Sequence, residues 1–386
     1  MTRPQRILLI QTQGENAGAQ EIARILAEGF AARGYEVSNL FFFRKSSTFS
    51  EPVNTFYCAP ERPSSPLQLM RMLLNLARHI RHLQPDVILT FQHYGNVIAA
   101  PVARLVSSAP VVANQVSALA TMSKLLRAAD FCLGAAGVFK VVTVNSIDVQ
   151  RIYATYPKAY SDRVVHVAHG FAERTSQLTR EAARSVFGLP RDAAILGCVA
   201  RLHPLKGLDH AVRLLALRPD WHLALLGQGP DRQRLLDLAT ELGVADRLHF
   251  AGEVAPERTG DFLVALDAFV FPSAAETFGL AAVEAAQAGV PVVANKLPVL
   301  QEVLSADDAP MALFVDAADT KEFAAATSRV LTDRTLRATL RQNAQQLKSR
   351  YSIDAMVEDY ERIFATLFHR RTLQFGLSQD DSRTPI

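Results

Sequence analysis

Ala268-Phe-Val-Phe271 runs directly into Pro272-Ser-Ala-Ala-Glu-Thr-Phe-Gly279, then into Leu280-Ala-Ala-Val-Glu-Ala-Ala-Gln-Ala288, before Gly289-Val-Pro291. The short apolar run, aromatic and β-branched, predicts a buried strand. A helix-prone run follows a turn punctuated by Pro272 and Gly279, so strand, loop and helix come in the order of a parallel α/β unit. A turn of this kind brings unpaired backbone N–H groups and the positive end of a helix dipole to one place, which suits a diphosphate or a developing oxyanion. Phe278, Gly279 and Leu280 are the expected donors, and Gly279 admits a close approach to the backbone. Glu284 stands one helical turn beyond Leu280, in reach of a ribose diol, while Glu276 stays in the loop nearer any sugar. Taken singly, Glu276 reads better as a loop carboxylate capping the helix and Glu284 as an exposed helix residue.

The surroundings of this stretch favour the functional reading. Strand Ala193–Ala200 leads into Ala200-Arg-Leu-His-Pro-Leu-Lys-Gly207, whose Arg201 can fork onto phosphate oxygens while Lys206 adds a point charge. Gly227-Gln-Gly-Pro230 follows strand His222–Leu226 as a tight turn, so Gly227 and Gly229 join the candidate donor-binding positions. Three loops then converge on one sheet edge, where parallel sheets hold ligands. Helices over 209–217 and 231–242, strands over 247–250 and 290–294, and a helix near 260–266 complete a Rossmann-like domain placed at 190–352.

The first half alternates in the same way, with a strand at Arg6–Ile10, a helix over 20–33, a strand at Tyr35–Phe42, and strands at 85–90, 110–113, 140–144 and 164–167. It forms a second Rossmann-like domain, 1–175. The turn Gly14-Glu-Asn-Ala-Gly18 leads into its first helix and makes Gly14 a candidate cleft residue, although a plain strand-to-helix connection explains it better. Leu69, Leu73, Leu76, Ile80 and Leu83 recur at helical spacing, with Arg71, Asn75, Arg78 and His82 elsewhere on the wheel. Packing on the first sheet accounts for this stripe better than a membrane surface does. A C-terminal helix over 353–370 and a loose tail over 371–386 close the chain.

The 386 residues exceed one ordinary core, consistent with two domains. With 49% hydrophobic and 20% charged residues the chain is of the globular class. The 41 basic residues against 38 acidic exclude a strongly basic nucleic-acid binder and leave room for a local anion site. Cys58, Cys132 and Cys198 lack the spacing of a zinc or redox motif and are expected reduced. The run Ile7–Ile10 near the start is too short for a secretory signal, and no stretch approaches the roughly 18 apolar residues of a membrane span. The expected location is the cytoplasm, with peripheral contact at the inner membrane surface as its only membrane association.

Arg201-Leu-x-x-x-Lys206-Gly207, Gly227-x-Gly229-Pro230, and Glu276 and Glu284 seven residues apart around Phe278-Gly279 together resemble the retaining, nucleotide-sugar-dependent glycosyltransferases of family 4. The resemblance covers about residues 193 to 305. It implies the GT-B architecture, two facing Rossmann-like domains with an interdomain cleft, and a nucleotide-sugar donor held by the second domain. It also implies that Glu276 lies near the donor sugar, that Glu284 holds the ribose, and that Arg201 and Lys206 neutralise the diphosphate. Transfer then goes to a saccharide or lipid-linked acceptor, with no nucleic acid, no cofactor and no metal. The chain departs from the pattern at Pro298-Val299, where paired glycines are usual before the retained Glu302, and at His169-Gly170, where Asn-Gly is usual. The first-domain His near the sugar is missing from Val111–Val116, leaving His93 as a weak substitute. An epimerase or phosphorylase on this scaffold, or a silent partner subunit, are the competing readings.

Overall fold

The computed structural model describes residues 4–45, 49, 51–306 and 309–377. Alternating strands and helices resolve into two parallel sheets, each in its own unit, and the fold is a pair of Rossmann-like domains. One unit comprises the chain up to Asn145, Val149–Gly170, and the chain from Ser352 onward; the other comprises Ser146–Asp148 and Phe171–Tyr351.

In the first unit β1 (Arg6–Gly14), β2 (Glu36–Arg44), β3 (Thr55–Ala59), β4 (Val87–Phe91), β5 (Val111–Gln115), β6 (Phe139–Val144) and β7 (Val164–His166) form a sheet in the order β3-β2-β1-β4-β5-β6-β7. β1 therefore includes Gly14, which was expected in the turn, and β3 appears where no strand was expected. Leu8, Ile10, Phe42, Ile88, Val111 and Val142 build one face of the core. Helix Pro66–Leu83 covers that face with Met72, Leu76 and Ile80, and Leu73 and Leu83 pack partly buried against the same core, so the packing role is correct and the expected stripe holds except at Leu69. Leu69 is exposed, together with Leu67, Met70 and Leu74.

The C-terminal helix spans Ile353–Leu377, longer than the 353–370 expected, and takes in the first residues assigned to a loose tail; the rest of that tail, 378–386, lies outside the described residues. It completes the first unit. Tyr360 donates to Asn114 Oδ1 on β5, Phe364 lies 5.6 Å from the Phe30 ring, and Glu361 accepts from Tyr35 at 2.8 Å and Arg33 at 2.7 Å. Gly170 has no room for a side chain here, since a Cβ would sit 2.6 Å from Ile353 Cα. The first unit thus ends its early run at Gly170 rather than at 175.

The second unit holds β8 (Ala194–Val199), β9 (Trp221–Leu226), β10 (Leu248–Gly252), β11 (Ala268–Phe271), β12 (Val292–Asn295), a small ribbon of β13 (Ser305–Ala306) and β14 (Ala309–Pro310), and β15 (Leu313–Val315). Its parallel sheet runs β10-β9-β8-β11-β12-β15. β8, β9, β11 and β12 are buried almost throughout, as strands covered by helices on both faces must be. The long run of the unit is Phe171–Tyr351: Phe171 N donates to Tyr351 O, and the polar segment ahead of β8 includes helix Arg180–Val186. Chain order reverses between β8 and β11, which makes their carboxyl ends a topological switch point.

Candidate active site

The loops after β8 and β11 meet at that switch point, backbone against backbone. Ala274 N donates to Leu205 O at 2.9 Å, and a Cβ on Gly207 would lie 2.4 Å from Pro272 O. Asn295, at the end of β12, donates to Ser273 O at 3.0 Å and accepts from Ala317 N, which fixes the far side of the same loop. The two chains are therefore held close enough for their charged side chains to pair. Lys206 Nζ lies 2.7 Å from Glu276 Oε1, both side chains are partly exposed, and the ammonium rests over the Phe271 ring at 6.0 Å. An ammonium carries three donors, so Lys206 can keep Glu276 and still bind a phosphate oxygen.

Helix Leu280–Gln287 starts next to this pair. Its N-cap, Gly279, has φ 87° and no side-chain cap, so Glu276 is not the helix cap that it resembles in isolation. Gly279 is needed for that backbone and for space, because a Cβ would meet Leu300 Cδ2 at 2.4 Å. Phe278 is buried edge-on against Tyr351 at 5.0 Å, while Leu280 is only partly buried. First-turn N–H groups have no intrahelical acceptor, so the start of this helix is suited to an anion. Pro298, in place of the usual glycines, opens helix Pro298–Val303, whose Leu300 supplies the wall behind Gly279.

Arg201 is exposed on the β8 loop. Gly227 and Gly229 support that loop from beneath: Cβ atoms there would lie 2.1 Å from Ala200 O and 2.1 Å from Leu202 O. Leu202 N donates to Gln228 O and Asp231 N donates to Leu202 O, which fastens the two loops together.

Glu284 is buried, at 5% exposure, which rules out the helix-surface alternative. Arg174 Nε donates to its Oε1 at 2.8 Å, and Arg174 Nη2 lies 2.8 Å from the same oxygen. The sequence reading missed Arg174, which lies in the polar stretch assigned to the domain boundary; its one signal is that an inward-facing Glu284 requires a cation. Glu302 accepts from Ile147 N and Asp148 N at 2.7 Å each.

Gly14 and His93 belong to the first unit. A Cβ on Gly14 would touch Phe49 and Tyr57 at 3.0 Å, so the position is packed against rings. His93 is buried beyond β4, its Nε2 3.0 Å from Thr121 Oγ1, and burial lowers its pKa to about 4. His169, buried near Asn145, is lowered by burial to about 3. Both imidazoles are neutral at pH 7. Cys58 and Cys198 are buried thiols that burial raises to about 12.

Residues 179–347 match the family described as Glycosyl transferases group 1. The group 1 match takes in nearly all of the second unit, including Arg201, Lys206, Glu276 and Glu284. Among relatives, the D-inositol 3-phosphate glycosyltransferase of Acidothermus cellulolyticus is 37% identical over 49% of this chain and 45% of its own length. The lipopolysaccharide core biosynthesis glycosyltransferase LpsE of Rhizobium meliloti is 29% identical over 62% of this chain and 74% of its own. The chain spans about half the length of the inositol phosphate enzymes that it matches. The fold is shared with sucrose-phosphate synthase of Thermosynechococcus elongatus, TM-score 0.80 at 22% identity over 95% of this chain and all of that one. HepE of Anabaena, solved with UDP and glucose, gives TM-score 0.80 at 21% identity, covering 93% of this chain and 99% of that one.

Proposed function

We propose that the chain is a retaining glycosyltransferase that moves a sugar from a nucleoside-diphosphate sugar to a hydroxyl of a saccharide or lipid-linked acceptor in glycoconjugate or polysaccharide synthesis. The observation that carries this reading is the Lys206–Glu276 pair, 2.7 Å apart at the switch point and beside the start of helix Leu280–Gln287, whose N-cap is Gly279. The group 1 match and the donor-bound HepE structures support it.

In this reading the bond from the anomeric carbon to the diphosphate breaks, and a bond to the acceptor oxygen forms on the same face. The acceptor's hydroxyl proton leaves with the diphosphate. Negative charge grows on the leaving group, where Lys206, Arg201 and the Phe278, Gly279 and Leu280 N–H groups are placed to stabilise it in advance. Glu276 orients the sugar, and Glu284 holds the ribose. These cationic and N–H donors supply the charge that a metal supplies in other enzymes, so turnover is independent of divalent cations. Exposed Leu67, Met70 and Leu74 share helix Pro66–Leu83 with Arg71, Arg78 and Arg81 and no Asp or Glu, which suits peripheral contact with an anionic membrane face. Among the described residues no helix is long and apolar enough to cross a membrane.

The test is a panel of sugar nucleotides, scored first by protection from thermal unfolding and then by transfer to glycan acceptors with and without chelator. One donor should raise Tm and be consumed equally in chelator. Loss of turnover in chelator, restored by magnesium or manganese, would overturn the metal-free reading; absence of both protection and transfer across the panel would overturn the function.

A further inference from the structure

Helix Pro66–Leu83 carries two stripes. Met72, Leu76 and Ile80 pack it on the first sheet, while spacings of three and four residues gather Leu67, Met70, Arg71, Leu74, Arg78 and Arg81 on the opposite side, where all six are exposed. The second stripe is graded, with its leucines and Met70 in the first half of the helix and Arg78 and Arg81 in the second. Helices that connect parallel strands run back against them, so the start of Pro66–Leu83, between β3 and β4, lies at the carboxyl edge of the sheet. Helix Lys124–Ala135, between β5 and β6, packs on the same core through Phe131 and Leu133 and starts at that edge too. There it exposes Lys124, Leu125 and Arg127.

Acidic groups are nearly missing from this region. From Pro66 to Ala135 the chain has six Arg and Lys but only two carboxylates, although it carries 38 acidic residues in all. Asp86 accepts from Gln5 N and pairs with Arg6, and Asp130 is buried on Tyr160 and Gln115. In the turn ahead of the first helix, exposed Glu61 and Arg62 cancel. Apolar side chains that insert, set among cations that meet lipid phosphates, are what an anionic bilayer surface binds.

We infer that the first unit docks on an anionic bilayer by its carboxyl edge, through this stripe and Leu125, and that its acceptor is a lipid-linked saccharide taken from that surface. The carboxyl edge is the ligand end of a parallel sheet, so docking there sets the unit's binding end at the membrane boundary, where a lipid-linked hydroxyl is concentrated and a free saccharide is not. The acceptor half of the inference rests on the transfer reaction proposed above; the docking half does not.

The experiment floats the full chain with phosphatidylcholine vesicles, either pure or containing about a third phosphatidylglycerol. The parent should bind the anionic vesicles about tenfold or more tightly, and high salt should weaken that binding. Leu67→Gln, Leu74→Gln and Leu125→Gln combined should weaken it about tenfold or more. Leu105→Gln is the control: Leu105 is 84% exposed against 81% for Leu125, but it ends helix Ala100–Val106 at the amino edge, and its loss should change binding less than about twofold. Arg71→Gln with Lys124→Gln should also weaken binding, and serves if the leucine variant does not fold. In turnover with vesicles of bacterial total lipid, label from the donor should pass to an organic-extractable product. The leucine variant should raise the apparent KM for those vesicles about tenfold and leave the donor KM within about twofold.

A parent that ignores anionic vesicles overturns the inference, and one that instead self-associates through the same leucines makes the stripe a contact between copies. An effect of Leu105→Gln equal to that of the leucine variant puts the wrong edge on the membrane and overturns it as well. Label that passes only to soluble glycans, at equal kcat/KM in parent and leucine variant, removes the lipid-linked acceptor. If no sugar nucleotide is consumed, the transfer reading fails and takes the acceptor with it, while flotation still decides the docking edge.

Discussion

Lys206 Nζ and Glu276 Oε1 are 2.7 Å apart although 70 residues separate them in the chain, because the loops that carry them are joined through Ala274 N and Leu205 O. The pair links the proposed phosphate clamp to the proposed sugar-orienting group. Lys206→Ala should therefore weaken nucleoside-diphosphate binding about tenfold, near 1.5 kcal/mol, and also slow transfer by releasing Glu276. Arg201→Lys should weaken binding as well, since a planar fork becomes a point charge. Calorimetric titration and steady-state kinetics check both; parental values in both variants would remove the phosphate site.

The two carboxylates should separate kinetically. If Glu284 holds the ribose in ground and transition states alike, as proposed, Glu284→Ala should raise KM more than it lowers kcat. If Glu276 orients the transferring sugar, Glu276→Gln should lower kcat by about tenfold or more with little change in diphosphate affinity. Removing Glu284 also takes away a carboxylate bound to the buried Arg174, so Tm must be measured beside the kinetics. Equal, parental kinetics in two folded variants would make both residues structural.

The first unit should lose stability in mild acid. His93 has a folded pKa of about 4 against an ordinary 6.5, so the unfolded chain binds its proton first. Its contribution is fully present above about pH 6.5 and declines as pH falls toward 4, by about 3 kcal/mol at most. His169 adds in the same direction. Denaturant titrations from pH 7 to 4 should show the decline, and a folded His93→Gln variant should show a shallower one; the same slope in both would remove His93 as a source.

Gly229→Ala should cost about 1–3 kcal/mol, because the new Cβ would lie 2.1 Å from Leu202 O and force the Arg201 loop to move. Donor binding should weaken with it. Gly18→Ala, where nothing lies within 4 Å of the new atom, is the matched control. Equal melting temperatures for the two variants would show that the glycine loop does not support its neighbour.

How much was legible in the sequence depended on whether cause and effect were adjacent in the chain. The strand, turn and helix over 268–288 could be read because each element's periodicity and punctuation are local. Convergence of the Lys206 and Glu276 loops could be read too, since parallel strands aim their carboxyl ends the same way. Arg174 could not, because an isolated Arg in a polar stretch has no period, and its partner is 110 residues away. Gly227 and Gly229 were legible as a tight turn, but not that their missing side chains make room for carbonyls of the preceding loop. Leu69 fits the helical stripe as well as Met72 does; only the position of the sheet decides which is buried.

The return of helix Ile353–Leu377 to the first unit has a consequence for synthesis. As the chain leaves the ribosome, β1 to β7 emerge before the helix that supplies Tyr360 to Asn114 and Phe364 to Phe30. The first unit to be made is therefore the last to be finished. Phe171–Tyr351 is nearly continuous and can close its own sheet while the earlier half still waits for an element more than 180 residues downstream of Gly170. The usual order, N-terminal domain first, is therefore expected to invert, since the contacts that complete the early unit are among the longest loops in the molecule to close.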